Sequence, residues 1–298
     1  MPDDASNLHR PAEIRHFRLS TGTTLAYRTA GDPSLPALVL IHGFPNASGG
    51  FRHVIPGLAE VAHVIAPDMP GSGASEPLPD AGFDAFVEAT AELLDHLNVG
   101  PRFLYVHDWG APVGLGLALR DPDQVLGLII QNGNAHESGM DPALWKDARA
   151  YWADPSPENE EKATAHLNAE TFVRAQYVDG LPDEVAARIE GEPWSQDWAV
   201  LQQPGRLKAQ KALILDNGRT HVARFGDYAR WLKATRPPAL MVWGRHDPYF
   251  DIAETLDWMQ DLPRMEAHIL DGGHLLLETH AAEALPLMTA FIRRHGSA

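Results

Sequence analysis

Arg102-Phe103-Leu104-Tyr105-Val106-His107-Asp108-Trp109-Gly110-Ala111-Pro112-Val113-Gly114-Leu115-Gly116 is the stretch that decides how this chain is read. It begins as an apolar run of the kind that forms a strand buried on both faces. It ends as a helical stretch rich in small residues. A single carboxylate, Asp108, stands at the joint between the two.

The same buried-strand pattern recurs on either side of it. Ala37-Leu38-Val39-Leu40-Ile41, His63-Val64-Ile65-Ala66-Pro67 and Leu126-Gly127-Leu128-Ile129-Ile130 are apolar runs of strand length. Ala239-Leu240-Met241-Val242-Trp243 and Glu266-Ala267-His268-Ile269-Leu270 resume the pattern late in the chain. Residues 14 to 30 read as two strands turned at Gly22. Between the runs lie helical stretches. From Phe83 to Leu97, the residues Phe83, Phe86, Val87, Leu93, Leu94 and Leu97 fall mainly on one face, and Ala284 to Arg294 reads as a closing amphipathic helix. Strands alternating with helices predict a parallel sheet joined by crossover helices.

One segment breaks the alternation. From His136 to about Leu213 the chain reads as helical and aromatic, with Trp145, Tyr151, Trp152, Phe172, Tyr177, Trp194 and Trp198. The expected organisation is therefore a core of residues 1–135 and 213–298 with a helical cap of 136–212. Loops at strand C-termini carry function in open α/β sheets, which favours a lid over a site rather than a separate helical domain.

Composition narrows the classes. The chain has 298 residues, 44% hydrophobic and 21% charged, as expected of a globular enzyme with a large core. Its formal net charge of -16 should repel nucleic-acid phosphates and anionic membranes. With no cysteine, disulfides and thiol catalysis are excluded. The start, Met1-Pro2-Asp3-Asp4-Ala5-Ser6, has no apolar signal-peptide core. No apolar stretch approaches the roughly 18 residues of a spanning helix. A soluble cytoplasmic protein is the expectation. Among the 15 histidines there is no His-Glu-x-x-His, and Gly-rich phosphate loops are missing, so neither a metal nor another cofactor is expected.

Three further motifs follow predicted strands. His42-Gly43-Phe44-Pro45 comes after the strand at 37–41, Asp247 after that at 239–243, and Asp271-Gly272-Gly273-His274 after that at 266–270. Together with the strand–Asp108–helix joint, they resemble the α/β-hydrolase fold in the order nucleophile, acid, histidine. The resemblance runs from about Ile14 to Arg294 and is to the branch that holds epoxide hydrolases and haloalkane dehalogenases. It implies a mostly parallel eight-stranded sheet with a helical cap. No Gly-x-Ser-x-Gly is present, and Asp108 stands where a serine usually does. A carboxylate attacking a carbonyl gives an unstable anhydride; attacking a saturated carbon, it gives an ordinary ester.

The resemblance assigns the roles. Asp108, with a reference pKa of about 3.9, would attack an alkyl carbon without help from a base. His274 would activate the water that hydrolyses the ester, oriented by Asp247. The backbone N–H groups of Phe44 and Trp109 would form the oxyanion hole. Asn134, where some relatives carry another acid, is an amide and leaves Asp247 without a rival.

The electrophile is read from the leaving group's needs. A halide needs N–H donors; an opening epoxide needs a proton. Val106, two residues before Asp108, and Pro70-Gly71-Ser72-Gly73-Ala74-Ser75 look dehalogenase-like, whereas His-Gly-Phe-Pro is common among epoxide hydrolases. Many dehalogenases place a halide-binding Asn where this chain has Phe44, whose ring is expected to face the pocket. That weighs toward the epoxide. Trp109, Tyr151, Trp152 and Tyr177 are the candidates to assist the leaving group, with Trp145 or Trp152 as a second donor to a halide. The expected partner is a small apolar or aryl-substituted substrate; a homodimer is compatible with the chain. The runner-up activity is haloalkane dehalogenation. The alternative from another class, a ligand-binding member without turnover, is disfavoured by the intact Asp108, His274 and Asp247.

Overall fold

The computed structural model describes residues 12–296; the acidic N-terminal stretch Met1–Ser6 lies outside them. Eight strands form one sheet in the order β1-β2-β4-β3-β5-β6-β7-β8. They are β1 Ile14–Arg18, β2 Thr24–Ala30, β3 Ala37–Ile41, β4 His63–Pro67, β5 Arg102–His107, β6 Val125–Gln131, β7 Ala239–Gly244 and β8 Glu266–Leu270. β1 and β2 form the expected antiparallel hairpin, turned at Gly22 with φ +85°, and β2 also runs antiparallel to β4. Every other pairing is parallel.

The apolar runs form central strands because both of their faces are covered. Val39, Ile41, Leu104 and Val106 point to a core layer shared with the helices Phe83–His96, Gly110–Arg120 and Phe225–Thr235. Leu38, Leu40, Phe103 and Tyr105 point the other way, onto the closing helix Ala281–His295, which starts three residues before the expected Ala284. Period-two side chains thus feed two layers at once. Each fully buried Leu, Ile, Val or Phe contributes about 1.5–3 kcal/mol.

Between β6 and β7 the chain is helical from Glu137 to Thr235. The expected boundary at 212 falls inside the helix Arg206–Asp216, which faces both ways. Leu213 joins the sheet's core layer, while Ile214 joins a separate cluster with Phe44, Tyr151, Leu167 and Val173. Among the described residues, no helix is long and apolar enough to cross a membrane.

Parallel strands bring their C-terminal ends to one edge, so the loops after β3, β5, β7 and β8 converge there. The approach is close. A Cβ on Gly110 would lie 2.2 Å from the Ile41 carbonyl oxygen, and one on Gly114 would lie 2.3 Å from Val106 Cγ1. Replacing Gly110 with Ala gains less than about 1 kcal/mol of helix propensity, and the clash with backbone outweighs it. Gly110→Ala is therefore expected to destabilise the fold by roughly 1–3 kcal/mol in urea unfolding. Gly49→Ala, whose Cβ meets nothing within 4 Å, serves as the near-neutral control.

Candidate active site

Asp108 follows β5 directly and has φ +49°, a left-handed conformation rare outside glycine. The bend turns its side chain out of the sheet, while its backbone N–H still bonds the Asn132 carbonyl at 3.1 Å. Room comes from Gly43: a Cβ there would lie 2.3 Å from the Asp108 Cβ. The loop after β3 therefore comes close enough for the Phe44 N–H to donate to Asp108 Oδ1 at 2.6 Å.

The loops after β7 and β8 are tied to each other. Arg245 N–H donates to the Leu270 carbonyl at 3.0 Å, and His246 N–H to that of Gly272 at 2.9 Å. This juxtaposition sets Asp247 Oδ2 2.9 Å from His274 Nδ1. The other oxygen of Asp247 accepts the N–H groups of Tyr249 (2.7 Å) and Phe250 (3.2 Å), so the carboxylate is fixed on both sides. Phe250 stacks on the His274 ring, centroids 5.4 Å apart, and Tyr249 meets it edge-on. The Nδ1 contact leaves Nε2 as the free nitrogen. It is buried, has no hydrogen-bond partner among the described residues and lies 4.0 Å from Asp108 Oδ2.

Burial governs the electrostatics. It pushes the Asp108 carboxyl up to about 6, against the nearby His274 and the N–H groups of Phe44 and Trp109, which favour the charged form. At His274 burial acts in the opposite direction, favouring the neutral ring, but Asp247 and Asp108 outweigh it and raise the imidazole above its ordinary value. His107, whose ring is tilted against that of His274 with centroids 4.7 Å apart, is held neutral by burial and by that neighbour.

A cavity of about 300 Å³ opens on Asp108. Phe44, Trp109, Tyr249 and Phe250 line it from the sheet edge, and Trp145, Leu167, Phe172 and Ile214 from the helical insertion. Phe44 thus turns its ring to the cavity, as expected. The structure brings Asp108, His274, Asp247, Phe44 and Trp109 together. It does not bring the other three candidates. Tyr177 donates to Asp197, Trp152 donates to the Ile214 carbonyl at 2.7 Å, and Tyr151 packs beside Glu160 at another depression. Asn134 is buried elsewhere and makes no hydrogen bond to His274 among the described residues.

Sequence reasoning missed Tyr249 and Phe250, although the aromatic pair directly after Asp247-Pro248 was a usable signal. It also missed His107 and Gln131, which hold the His274 carbonyl at 3.0 Å each. Trp145, named only as a second halide donor, does line the cavity, and its Nε1 is buried without a partner among the described residues.

An ionised carboxylate whose folded-state pKa is raised costs stability at high pH. The cost is full above about pH 6 and fades as pH falls toward the ordinary carboxylate value. Asp108→Asn is therefore expected to stabilise the protein by roughly 1–3 kcal/mol at pH 8, a gain that shrinks toward nothing below about pH 4. Thermal melts across that range measure it; a variant less stable than wild type at pH 8 contradicts the account.

Comparison with known proteins supports the fold. The family model of the alpha/beta hydrolase fold matches residues 36–281. An uncharacterized hydrolase of Saccharomyces cerevisiae is 32% identical over 90% of this chain and 93% of its own length. A cis-3-alkyl-4-alkyloxetan-2-one decarboxylase of Shewanella oneidensis is 28% identical over 93% of this chain and 88% of its own. Among solved structures, the haloalkane dehalogenase DbeA of Bradyrhizobium elkani superposes with a TM-score of 0.74 at 22% identity, covering 95% of this chain and 98% of its own. The epoxide hydrolase CorEH gives 0.73 at 23%, covering 95% and 99%. At those identities the two structures speak for the fold alone. Family match and yeast relative together show that the chain belongs to the α/β-hydrolase family.

Proposed function

We propose that this hydrolase opens epoxides to diols through a covalent ester on Asp108. The observation that carries the reading is the pairing of a carboxylate at the sharp bend after β5 with the free Nε2 of His274, 4.0 Å away. In the first step an Asp108 oxygen attacks a ring carbon and the ring C–O bond breaks. The departing oxygen takes a proton. Tyr249 is the tyrosine on the cavity wall, and burial keeps its phenol protonated, so it is assigned as the donor.

Forming the ester removes the Asp108 charge. His274 then loses one of the two carboxylates that raise its pKa, so a larger fraction of the imidazole is neutral when a base is needed. Its Nε2 takes a proton from water, the hydroxide adds to the ester carbonyl, and the N–H groups of Phe44 and Trp109 stabilise the oxyanion. A donor of this kind is typically worth about 3 kcal/mol of barrier. Collapse expels the alkoxide, which takes the proton held by His274 and leaves as the diol; the carboxyl proton left on Asp108 returns to the Tyr249 phenolate and restores the carboxylate.

A specific observation favours haloalkane dehalogenation as the second reading. Trp109 and Trp145 line the same cavity, and an indole N–H is the kind of donor a departing halide accepts. Parallel assays of styrene oxide and butyl bromide, following diol and bromide release, separate the two. The expected result is diol formation. Bromide release without diol would transfer the assignment to dehalogenation.

His274→Gln is expected to stop at the ester, so the intact mass of the protein rises by that of one substrate. Absence of an adduct from a substrate that wild type processes would falsify the mechanism. Since attack needs the carboxylate, kcat/KM is expected to fall about tenfold per pH unit below pH 6. A profile flat to pH 5 would contradict the role given to Asp108.

A further inference from the structure

His136 stands at the root of the helical insertion, and both nitrogens of its ring meet carboxylates. Nδ1 lies 2.8 Å from Glu254 Oε1, and Nε2 lies 3.2 Å from Asp261 Oδ2. An ionised carboxylate has no proton to give, so each contact is a hydrogen bond only where the ring nitrogen carries one. A neutral imidazole has a single N–H; two such partners call for the imidazolium. The Glu254 side chain is 0% exposed and that of Asp261 5%. Glu254 also accepts the backbone N–H groups of Ala135 (2.7 Å), His136 (3.1 Å) and Gly139 (3.1 Å), which favour its ionised form. Lys233, on the helix Phe225–Thr235, pairs with the other oxygen of Asp261 at 3.0 Å. Two carboxylates thus meet two cations, and Trp258 closes the side of the ring edge-on, centroids 5.5 Å apart. Burial raises the Glu254 carboxyl. At His136 burial favours the neutral ring, but the two carboxylates outweigh it and lift the imidazole above its ordinary value.

We propose that His136 is a positioning residue for Asp247: as an imidazolium it clasps the root of the insertion to the segment that carries the acid, and losing its proton opens the clasp. The segment 247–254 is fixed at both ends. At one end Asp247 accepts the N–H groups of Tyr249 and Phe250; at the other Glu254 accepts those of the root. Between them the Asp251 N–H donates to the Gly139 carbonyl at 3.3 Å. Gly139 allows the approach, since a Cβ there would lie 2.6 Å from Glu254 Oε2. The root itself follows β6, whose Gln131 holds the His274 carbonyl. The clasp therefore joins the support of His274 to the support of Asp247. A neutral ring keeps one N–H, so one carboxylate loses its donor and the cluster is left with an uncompensated buried charge. Because the folded-state imidazole is raised, this stabilisation is complete below the ordinary value and fades as pH rises through the raised one. The cavity groups do not mimic that loss. Asp108 is charged above about pH 6, burial keeps the Tyr249 phenol protonated, and a neutral His274 is the form that acts as base. The clasp needs no particular electrophile; its effect on turnover rests on the chemistry proposed above.

Nitrogen-15 NMR of histidine-labelled protein tests the charge state, with His136 identified as the ring signal lost in His136→Gln. Both of its ring nitrogens are expected to be protonated together, with a midpoint above the ordinary histidine value of about 6.5. Asp261→Asn keeps an acceptor oxygen and removes a charge, and is expected to lower that midpoint by about one pH unit or more. Should His136→Gln fail to fold, the signal that Asp261→Asn shifts identifies the ring instead. Amide hydrogen exchange reads the clasp without turnover. Protection of the Gly139 and Phe250 amides, corrected for the intrinsic effect of pH, is expected to fall at least about tenfold across the His136 midpoint and to move with it in Asp261→Asn. A midpoint at or below the ordinary value overturns the proposal, as does Phe250 protection indifferent to that midpoint. With a substrate that is processed, styrene oxide or butyl bromide, kcat is expected to fall on the alkaline side at the same midpoint and to shift equally in Asp261→Asn. An alkaline limb unmoved by Asp261→Asn overturns the positioning role. If neither substrate is turned over while protection still follows His136, the clasp stands and the proposed chemistry falls.

Discussion

Asp108 has a backbone conformation that costs a residue with a Cβ on the order of 1–2 kcal/mol, and the rest of the site depends on the strand ends that hold it there. β5 is hydrogen-bonded to β3 on one side and β6 on the other, and all six of its residues are buried. The strand cannot shift to relieve the bend. Around the turn, contacts that side chains would block are made by glycines: Gly43 against Asp108 itself, Gly110 against the Ile41 carbonyl, Gly133 against Ala111. Had the bend relaxed, the Phe44 N–H would lose the Asp108 oxygen and the carboxylate would lose its aim at His274.

That geometry makes two opposed electrostatic demands compatible. Burial penalises the carboxylate, and without compensation Asp108 would stay protonated. His274 and two backbone N–H groups hold it near 6, low enough to be charged at neutral pH. The same burial penalises a protonated imidazole, and the two carboxylates offset that. Each group is tuned by the other, so neutralising either one shifts its partner. A reaction that alternately removes and restores the charge of Asp108 would use this coupling without any movement of the chain.

The sheet was legible because apolar runs covered on both faces leave a signal that loops and surface helices do not share. The runs at 37–41, 63–67, 239–243 and 266–270 correspond to β3, β4, β7 and β8 with at most one residue of difference. The grouping of Asp108, Asp247 and His274 was legible because all three follow strand ends, where few positions are available. The insertion gave no such frame. In a short helix an aromatic side chain can turn toward a cavity or toward its neighbours, and the pattern of residues does not distinguish the two. Tyr151, Trp152 and Tyr177 turned to neighbours, each beside a polar partner within the insertion.

Those turned-away aromatics shape what the cavity is. With the Trp152 indole and the Tyr177 hydroxyl bonded elsewhere, the titratable insertion residues bordering the cavity are Asp147, Lys162 and His166. The sheet edge supplies Asp108, His274 and Asp247 on a framework fixed by strand register and close glycine contacts. The insertion supplies most of the wall, and Gly180 rests it on the loop that carries Asp247, where a Cβ would lie 2.1 Å from the His246 carbonyl oxygen. Substitutions at Trp145, Phe172 or Ile214 can therefore alter which molecules fit while Asp108, His274 and Asp247 keep their distances. Substitutions at Gly43 or Gly110 disturb those distances first. On the proposed chemistry, selectivity and reactivity reside in different parts of the chain that meet at one cavity.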